Sequence, residues 1–280
     1  MSRHLEEIAR LDPLDDHQRI VHLMTCYEFP FDITRALEMA LFRTFAVPSV
    51  SALLASTGEL FERPQKRYDD TDLLVSFLME DGYDSEAGKR ALRRMNSIHH
   101  RFDISNDDYL YVLSTFIYEP IRWIERYGWR PLHPNERLAM FHCWRAIGSR
   151  MAIRDIPEDY DDFERWSRAF EREHFRLDDN TRRIGEAGRD LFLSWAPAPL
   201  RGIGAQAIYA MLDAPLLDAF GFEHPSAGMR ALVDHTLRAR ARVLRYLPRR
   251  RRPRIRTKQA HRSYPGGYDL SDLGPPRDGA

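Results

Sequence analysis

Arg94, Asn96, His99 and His100 fall within one short segment, RRMNSIHHRF over 93–102, whose apolar positions recur at helical spacing. On a helix, positions 96, 99 and 100 are neighbours at i+3 and i+4, so an amide can sit beside one or two imidazoles. His99 shares a stripe with Leu92 and Met95 and is expected to point inward, with His100 nearer the rim. An inward imidazole is either a core histidine satisfied by a carbonyl or a ligand to a metal or haem iron. A non-haem centre built from His99, His100 and a carboxylate ranks lower, because adjacent helical side chains diverge by about 100°.

A second constellation follows: Glu119, Arg122, Trp123, Glu125, Arg126 and Trp129. Glu119–Arg122 and Arg122–Glu125 are i,i+3 pairs, which describes a structural ion-pair ladder. The chemical alternative is that Arg122 or Arg126 holds a cofactor carboxylate such as a haem propionate, for which the planar guanidinium is suited. His142 and His174 are further candidate ligands, but Glu171-x-x-His174 is a single ExxH, and di-iron bundles need two. There is no HExxH, GxSxG, Walker A or GxGxxG, so zincin, common hydrolase, NTPase and dinucleotide readings have no support.

These residues need helices to position them. Asp32 is read as the cap of a helix through Phe45, and Pro48 opens a short one ending near Gly58. Asp70 or Thr71 starts another that closes at Gly82, and Ser85 precedes the histidine-bearing segment. Asn106 reads as an N-cap, with Asp107 and Asp108 favourably placed against the dipole. The helix after it should run to Tyr127 and stop at Gly128, bent by Pro120. Pro134 starts the next, to Arg150, and further helical patterns occupy 158–175, 180–195, 201–213 and 227–246. No stretch alternates convincingly with period two, so the expected fold is all-α, a single multi-helix domain over 1–246.

From 247 to 280 the chain is arginine-rich and then rich in Gly and Pro, which reads as a partly extended basic tail. Peripheral membrane contact is its sharper reading, and SYPGGY suggests that its end packs back. Lys+Arg and Asp+Glu both number 42, and with no reading motif nucleic-acid binding is disfavoured. Cys26 and Cys143 match no metal spacing and read as buried free thiols. The start is too charged for a signal peptide, and no apolar run approaches the roughly 20 residues that span a bilayer. The expectation is a cytoplasmic chain, with membrane-peripheral attachment as the alternative.

HQRIVHLMTCYEFPFD (17–32), LFRTFAVPSVSALLASTGE (41–59), QKRYDDTDLLVSFLMEDG (65–82), RMNSIHHRFDISNDDYLYVLSTFIYEPIRWIERYGWRPL (94–132) and WRAIGSRMAIRDIP (144–157) together resemble the mpaB/rubber oxygenase family, as does YPGGYDLSDLGP (264–275). The likeness is closer to the fungal mycophenolic-acid oxygenase type than to the bacterial latex-clearing proteins. It implies a distantly globin-like helical domain that binds b-type haem through one histidine. Such a domain uses O2 to cleave C=C bonds in apolar, isoprenoid substrates. Arg94 matches the family's arginine at the start of its helical motif. Ile98 stands where the rubber-cleaving branch has threonine, and Leu113 where a broader bacterial branch has histidine. With that ligand position changed, either His99 holds the iron, or another histidine such as His142 or His174 does, or haem is absent. Asn96 would stand beside His99, Arg94 and Glu80 would serve catalysis, and Arg122 and Arg126 would hold propionates. A non-haem metalloenzyme and a non-catalytic lipid-binding or membrane-docking module are the other readings.

Overall fold

The computed structural model describes residues 2–275. It contains fourteen α-helices among the described residues: α1 (Arg3–Ile8), α2 (His17–Leu23), α3 (Pro30–Thr44), α4 (Pro48–Thr57), α5 (Glu59–Glu62), α6 (Pro64–Glu80), α7 (Glu86–His99), α8 (Asn106–Tyr127), α9 (Pro134–Arg150), α10 (Tyr160–His174), α11 (Asp179–Ser194), α12 (Arg201–Met211), α13 (Ala214–Phe220) and α14 (Ala227–Tyr246). No strand occurs among these residues; His261 and Tyr264 make one isolated bridge. The all-α expectation holds.

The centre is α8, whose Tyr111, Ile117, Tyr118, Ile121 and Ile124 are buried. A helix apolar around most of its circumference must be covered on several sides. Its principal partner is α3, with α9, α10 and α14 closing the remaining faces. The helix continues through Pro120. It stops at Gly128, where a Cβ would lie 2.5 Å from the Ile124 carbonyl oxygen, so a larger residue does not fit this exit.

Several boundaries differ from the sequence reading. Ser105, not Asn106, caps α8: its Oγ accepts from Asp108 N–H at 3.0 Å. Asn106 instead spends its amide on Arg154, accepting from its N–H at 2.9 Å and donating to its carbonyl at 3.1 Å. Helix α3 begins at Pro30, two residues before Asp32, and α6 begins at Pro64, well before Asp70 and Thr71. The reason is common to both helices. These carboxylates serve distant partners: Asp32 accepts from Trp123 Nε1 at 3.2 Å and Arg240 Nη1 at 2.9 Å, while Asp70 binds Lys66 and the Tyr264 hydroxyl.

The described part of the tail also has distant partners. Arg254 N–H donates to the Cys26 carbonyl at 2.9 Å, and the chain from there to Pro275 lies on α6 and α7. Glu80 accepts from the Arg256 N–H and from the Thr257 N–H and hydroxyl, Asp72 pairs with Arg256 at 2.6 Å, and Asp69 accepts from Ser263 N–H at 2.9 Å. Arg94 donates to the carbonyls of Leu273 at 2.6 Å and Pro275 at 3.2 Å. Cys26 and Cys143 are buried free thiols, both pushed up to about 12 by burial.

A buried trio joins the π-helical turn after α2 to the start of α9. Arg130 pairs with Glu28 at 2.8 Å and with Glu136 at 2.7 Å, and Glu136 also accepts from His133 N–H at 2.7 Å. Removing one partner strands the others' charge out of water. Arg130→Ala should cost about 3–5 kcal/mol in urea unfolding monitored by circular dichroism. A loss below about 1 kcal/mol would put this trio in the class of exposed pairs.

Candidate functional site

Glu38, Arg67, Tyr68 and Thr71 line a narrow cleft whose other walls are apolar: Leu41 and Phe42 of α3, Phe45 just after it, Leu54 and Leu60 of α4 and α5, and Leu191 and Phe192 of α11. Gly188 forms part of the wall because the Phe42 ring lies against it; a Cβ would meet that ring at 2.7 Å. About 50 Å³ is open inside. That holds O2 and a few carbon atoms, against roughly 300–1,000 Å³ for typical ligand pockets.

Local sequence explains who points in. Arg67 and Thr71 are i,i+4 on α6 and share one stripe, with the guanidinium donating to the threonine hydroxyl. Glu38 arrives from α3, where its neighbours toward the core are apolar. Its Oε1 accepts from the Tyr68 hydroxyl at 2.5 Å and from Arg35 at 2.5 Å. Tyr68 is held in turn by the edge of Trp195, whose Nε1 donates to Gln65 at 2.7 Å.

Burial also raises the pKa of Asp32, Asp72 and Glu80 elsewhere, but the cleft brings a raised carboxyl and a lowered guanidinium to one slot. Burial pushes the Glu38 carboxyl up to about 7, against the opposing pull of Arg35 and the Tyr68 hydrogen bond. Arg67 has no carboxylate within ion-pair distance among the described residues; burial lowers its pKa from the usual guanidinium range, against the weaker opposing charges of Asp70 and Glu59. A carboxyl poised at neutrality and an under-compensated guanidinium lining one apolar slot are the arrangement expected of a reactive site. Behind Arg67 stands His99. Its imidazole is half-buried, its ring is edge-on to Tyr109, and its sheltered Nδ1 has only a poorly aligned hydrogen bond to the Met95 backbone one turn back. Loss of solvent, then the Arg67 charge and then His100, push its pKa down to about 4, so the ring is neutral at physiological pH.

The residues singled out in the sequence go to several places. Arg94 and Glu80 hold the tail and do not line the cleft. Asn96 donates to the Arg150 carbonyl at 3.0 Å, tying α7 to α9. Arg122 bridges Glu119 at 2.7 Å and Glu164 at 3.0 Å, and Arg126 reaches Asp234 of α14 at 3.0 Å. His142 is half-buried on α9 with an unpartnered Nδ1, while His174 bonds the Phe170 carbonyl at 3.0 Å and stacks on its ring. No group of three His, Cys, Asp or Glu side chains is spaced to hold a metal ion among the described residues.

The neutral imidazole of His99 suits a single axial ligand, but His99 is outside the cleft wall and the open volume does not fit a porphyrin as packed. Arg67, Glu38, Tyr68 and Thr71 escaped the sequence reading. The visible signal was an arginine and a threonine at i,i+4, and a glutamate enclosed by apolar residues in ALEMALF.

The family model described as the catalytic domain of ER-bound oxygenase mpaB/B′ and rubber oxygenase matches residues 33–246, a span that contains every cleft residue. An ER-bound oxygenase mpaB′ of Penicillium brevicompactum is 30% identical over 243 residues, covering 80% of this chain and 57% of that protein. An ER-bound oxygenase mpaB of Penicillium roqueforti is 29% identical over 205 residues, covering 66% of this chain and 68% of the relative. A second P. brevicompactum protein, ER-bound oxygenase mpaB, is 28% identical, with 63% and 50% covered. The chain thus spans little more than half the length of the first of these relatives.

If Arg67 acts on His99 as the geometry indicates, Arg67→Met will raise the imidazole pKa from about 4, though not to its ordinary value, because burial remains the larger cause. Imidazole carbon chemical shifts followed across pH read this directly. An unchanged midpoint would leave burial and His100 as the causes.

Proposed function

The chain belongs to the mpaB/rubber oxygenase catalytic-domain family, and from that premise we propose that it is an O2-using oxygenase that cleaves a C=C bond in an apolar, isoprenoid-type substrate. The observation that carries this reading is the cleft: aromatic and aliphatic walls enclosing one carboxyl poised near pH 7 and one guanidinium whose burial outweighs the charges of Asp70 and Glu59. Splitting one C=C bond and the O–O bond while forming two C=O groups balances in atoms and electrons with O2 alone, so the site needs no external reductant.

The roles follow from the environment. The apolar walls exclude water and accept a hydrocarbon chain. Glu38, ionised as pH rises through about 7, takes an allylic proton, and the Tyr68 hydroxyl and Arg35 orient it. Arg67 stabilises negative charge that develops on oxygen, at low cost because Thr71 already aims its guanidinium. Side chains do not activate ground-state O2, so a redox cofactor is implied. The family resemblance implies b-type haem held by one histidine, for which His99 is the candidate of this chain. Its sheltered, neutral ring favours that choice, but the space as packed does not accommodate the macrocycle.

The relatives are named as ER-bound, and among the described residues no single helix is long and apolar enough to cross a membrane. The reading for this chain is a cytoplasmic protein attached at a membrane periphery.

Two measurements test the proposal. The purified chain, expressed with haem precursor, should show a Soret band that His99→Ala abolishes; without one, the haem part of the reading falls. Oxygen consumption with a polyisoprenoid alkene should rise with pH through an apparent pKa near 7. Glu38→Gln should remove that rise and lower the rate by about 10²–10⁴-fold. A wild-type profile in Glu38→Gln would take the proton-abstracting role away from this carboxylate.

A further inference from the structure

Helix α14 is amphipathic twice over. Its inner face is committed: Leu237 packs on the core, Ala241 is buried, Arg240 reaches Asp32 at 2.9 Å, and Asp234 receives Arg126 at 3.0 Å. Its outer face carries a second apolar stripe. Leu232, Ala239, Val243 and Tyr246 recur at i, i+7, i+11 and i+14, the spacing that puts side chains on one line. They face solvent: Leu232 and Val243 are each 59% exposed and Tyr246 89%. Leu247 continues the line beyond the helix, and Leu200 and Ile203, at the start of the neighbouring α12, are exposed as well.

Charge flanks this stripe. Arg238, Arg242 and Arg245 follow one side of it, Arg238 also pairing with Asp234 at 2.9 Å and Arg245 donating to the Trp129 carbonyl at 2.8 Å, and Arg250, Arg251 and Arg252 stand exposed just past the helix. From Arg238 to Arg254 the chain has nine arginines and no acidic residue, although the whole chain is neutral. An apolar line bordered by arginines on a helix too polar to span a bilayer is the composition that lies in a lipid–water interface.

We propose that the outer face of α14 docks on a membrane surface rich in anionic headgroups. Leu232, Val243 and Tyr246 enter the acyl boundary, and the flanking arginines contact phosphates. Charge complementarity selects this occupant. A second copy of the chain would have to set one arginine row against another, at a cost in like-charge repulsion. The inference assigns attachment to the helix rather than to the tail alone, and it does not depend on the oxygenase reading.

The test is flotation of the full chain with phosphatidylcholine vesicles and with phosphatidylcholine–phosphatidylserine vesicles. Binding is expected on the second set only, weakening as salt rises. Leu232→Glu with Val243→Glu, and separately Arg238→Gln with Arg242→Gln, should each reduce partitioning by more than tenfold, since each arginine near the surface is worth about fivefold. All four side chains are exposed, and Asp234 keeps Arg126 when Arg238 is replaced, so helical circular dichroism should be unchanged. The proposal is overturned by absence of binding to the acidic vesicles. It is equally overturned if Arg250→Gln/Arg251→Gln/Arg252→Gln abolishes binding while the Leu232/Val243 variant floats like the parent, which would give attachment to the tail. Sedimentation showing that Val243→Glu only dissolves a dimer would assign the face to a second copy.

Discussion

Interior charge has to be paired, and in this chain the pairing decides where the helices lie. Helix α3 carries Asp32 and Arg43 to buried positions, and an ion taken from water costs several kcal/mol before a partner is found. The partners come from far along the sequence. Asp32 meets Trp123 of α8 and Arg240 of α14; Arg43 meets Glu171 of α10 at 2.5 Å and Asp213, the cap of α13, at 2.8 Å. Each pair is satisfied in only one placement of the second helix. The apolar seam between α3 and α8 supplies the driving force, and these ions select the arrangement that the seam alone would leave loose.

The cleft is where that rule is broken. For Arg43, its carboxylates outweigh the cost of burial and its affinity for the proton rises. For Arg67 the balance reverses: burial dominates and the charged form is disfavoured. Glu38 behaves likewise, with the half-exposed Arg35 and a phenol too weak to offset desolvation. The raised Glu38 pKa also carries a stability cost. The folded chain binds that proton more tightly than the unfolded one, so this group's contribution falls as pH rises between about 4.5 and about 7. Retaining two poorly compensated charges in an apolar slot is what a protein does for a ligand or a reaction, not for its fold.

Much of the architecture was legible because it is local. Ser85, Pro48, Pro134 and Gly128 act on their own neighbours, and the 227–246 periodicity reports a helix whatever surrounds it. The inward stripe of Leu92, Met95 and His99 was readable for the same reason. The site was not, because its signals resemble those of surface. QKRYDDTD looks like a solvated helical turn, yet Asp69, Asp70 and Asp72 are occupied by residues 256–264, nearly two hundred positions downstream. Only the family resemblance makes Arg94 and Glu80 catalytic candidates. Their partners in the same downstream segment are mostly backbone carbonyls and amides, with the Thr257 hydroxyl on Glu80, and such groups leave little side-chain signature.

Helix α6 joins these observations. Arg67, Tyr68 and Thr71 project from one side into the cleft, while Lys66, Asp69, Asp70 and Glu80 project from the other and grip the tail. The tail lies outside the family match yet braces the back of the helix that forms the cleft wall. Arg256 goes further. Anchored on Asp72 at 2.6 Å, it is close enough for its charge to oppose the burial cost of Glu38. If the tail were removed, α6 would lose the ligands of four carboxylates, and Glu38 would lose a cation that favours its ionised form. The acidity of the cleft is thus set partly by a segment that never enters it. Position along the chain is a poor guide to what belongs to this site, and shared support on α6 is the better one.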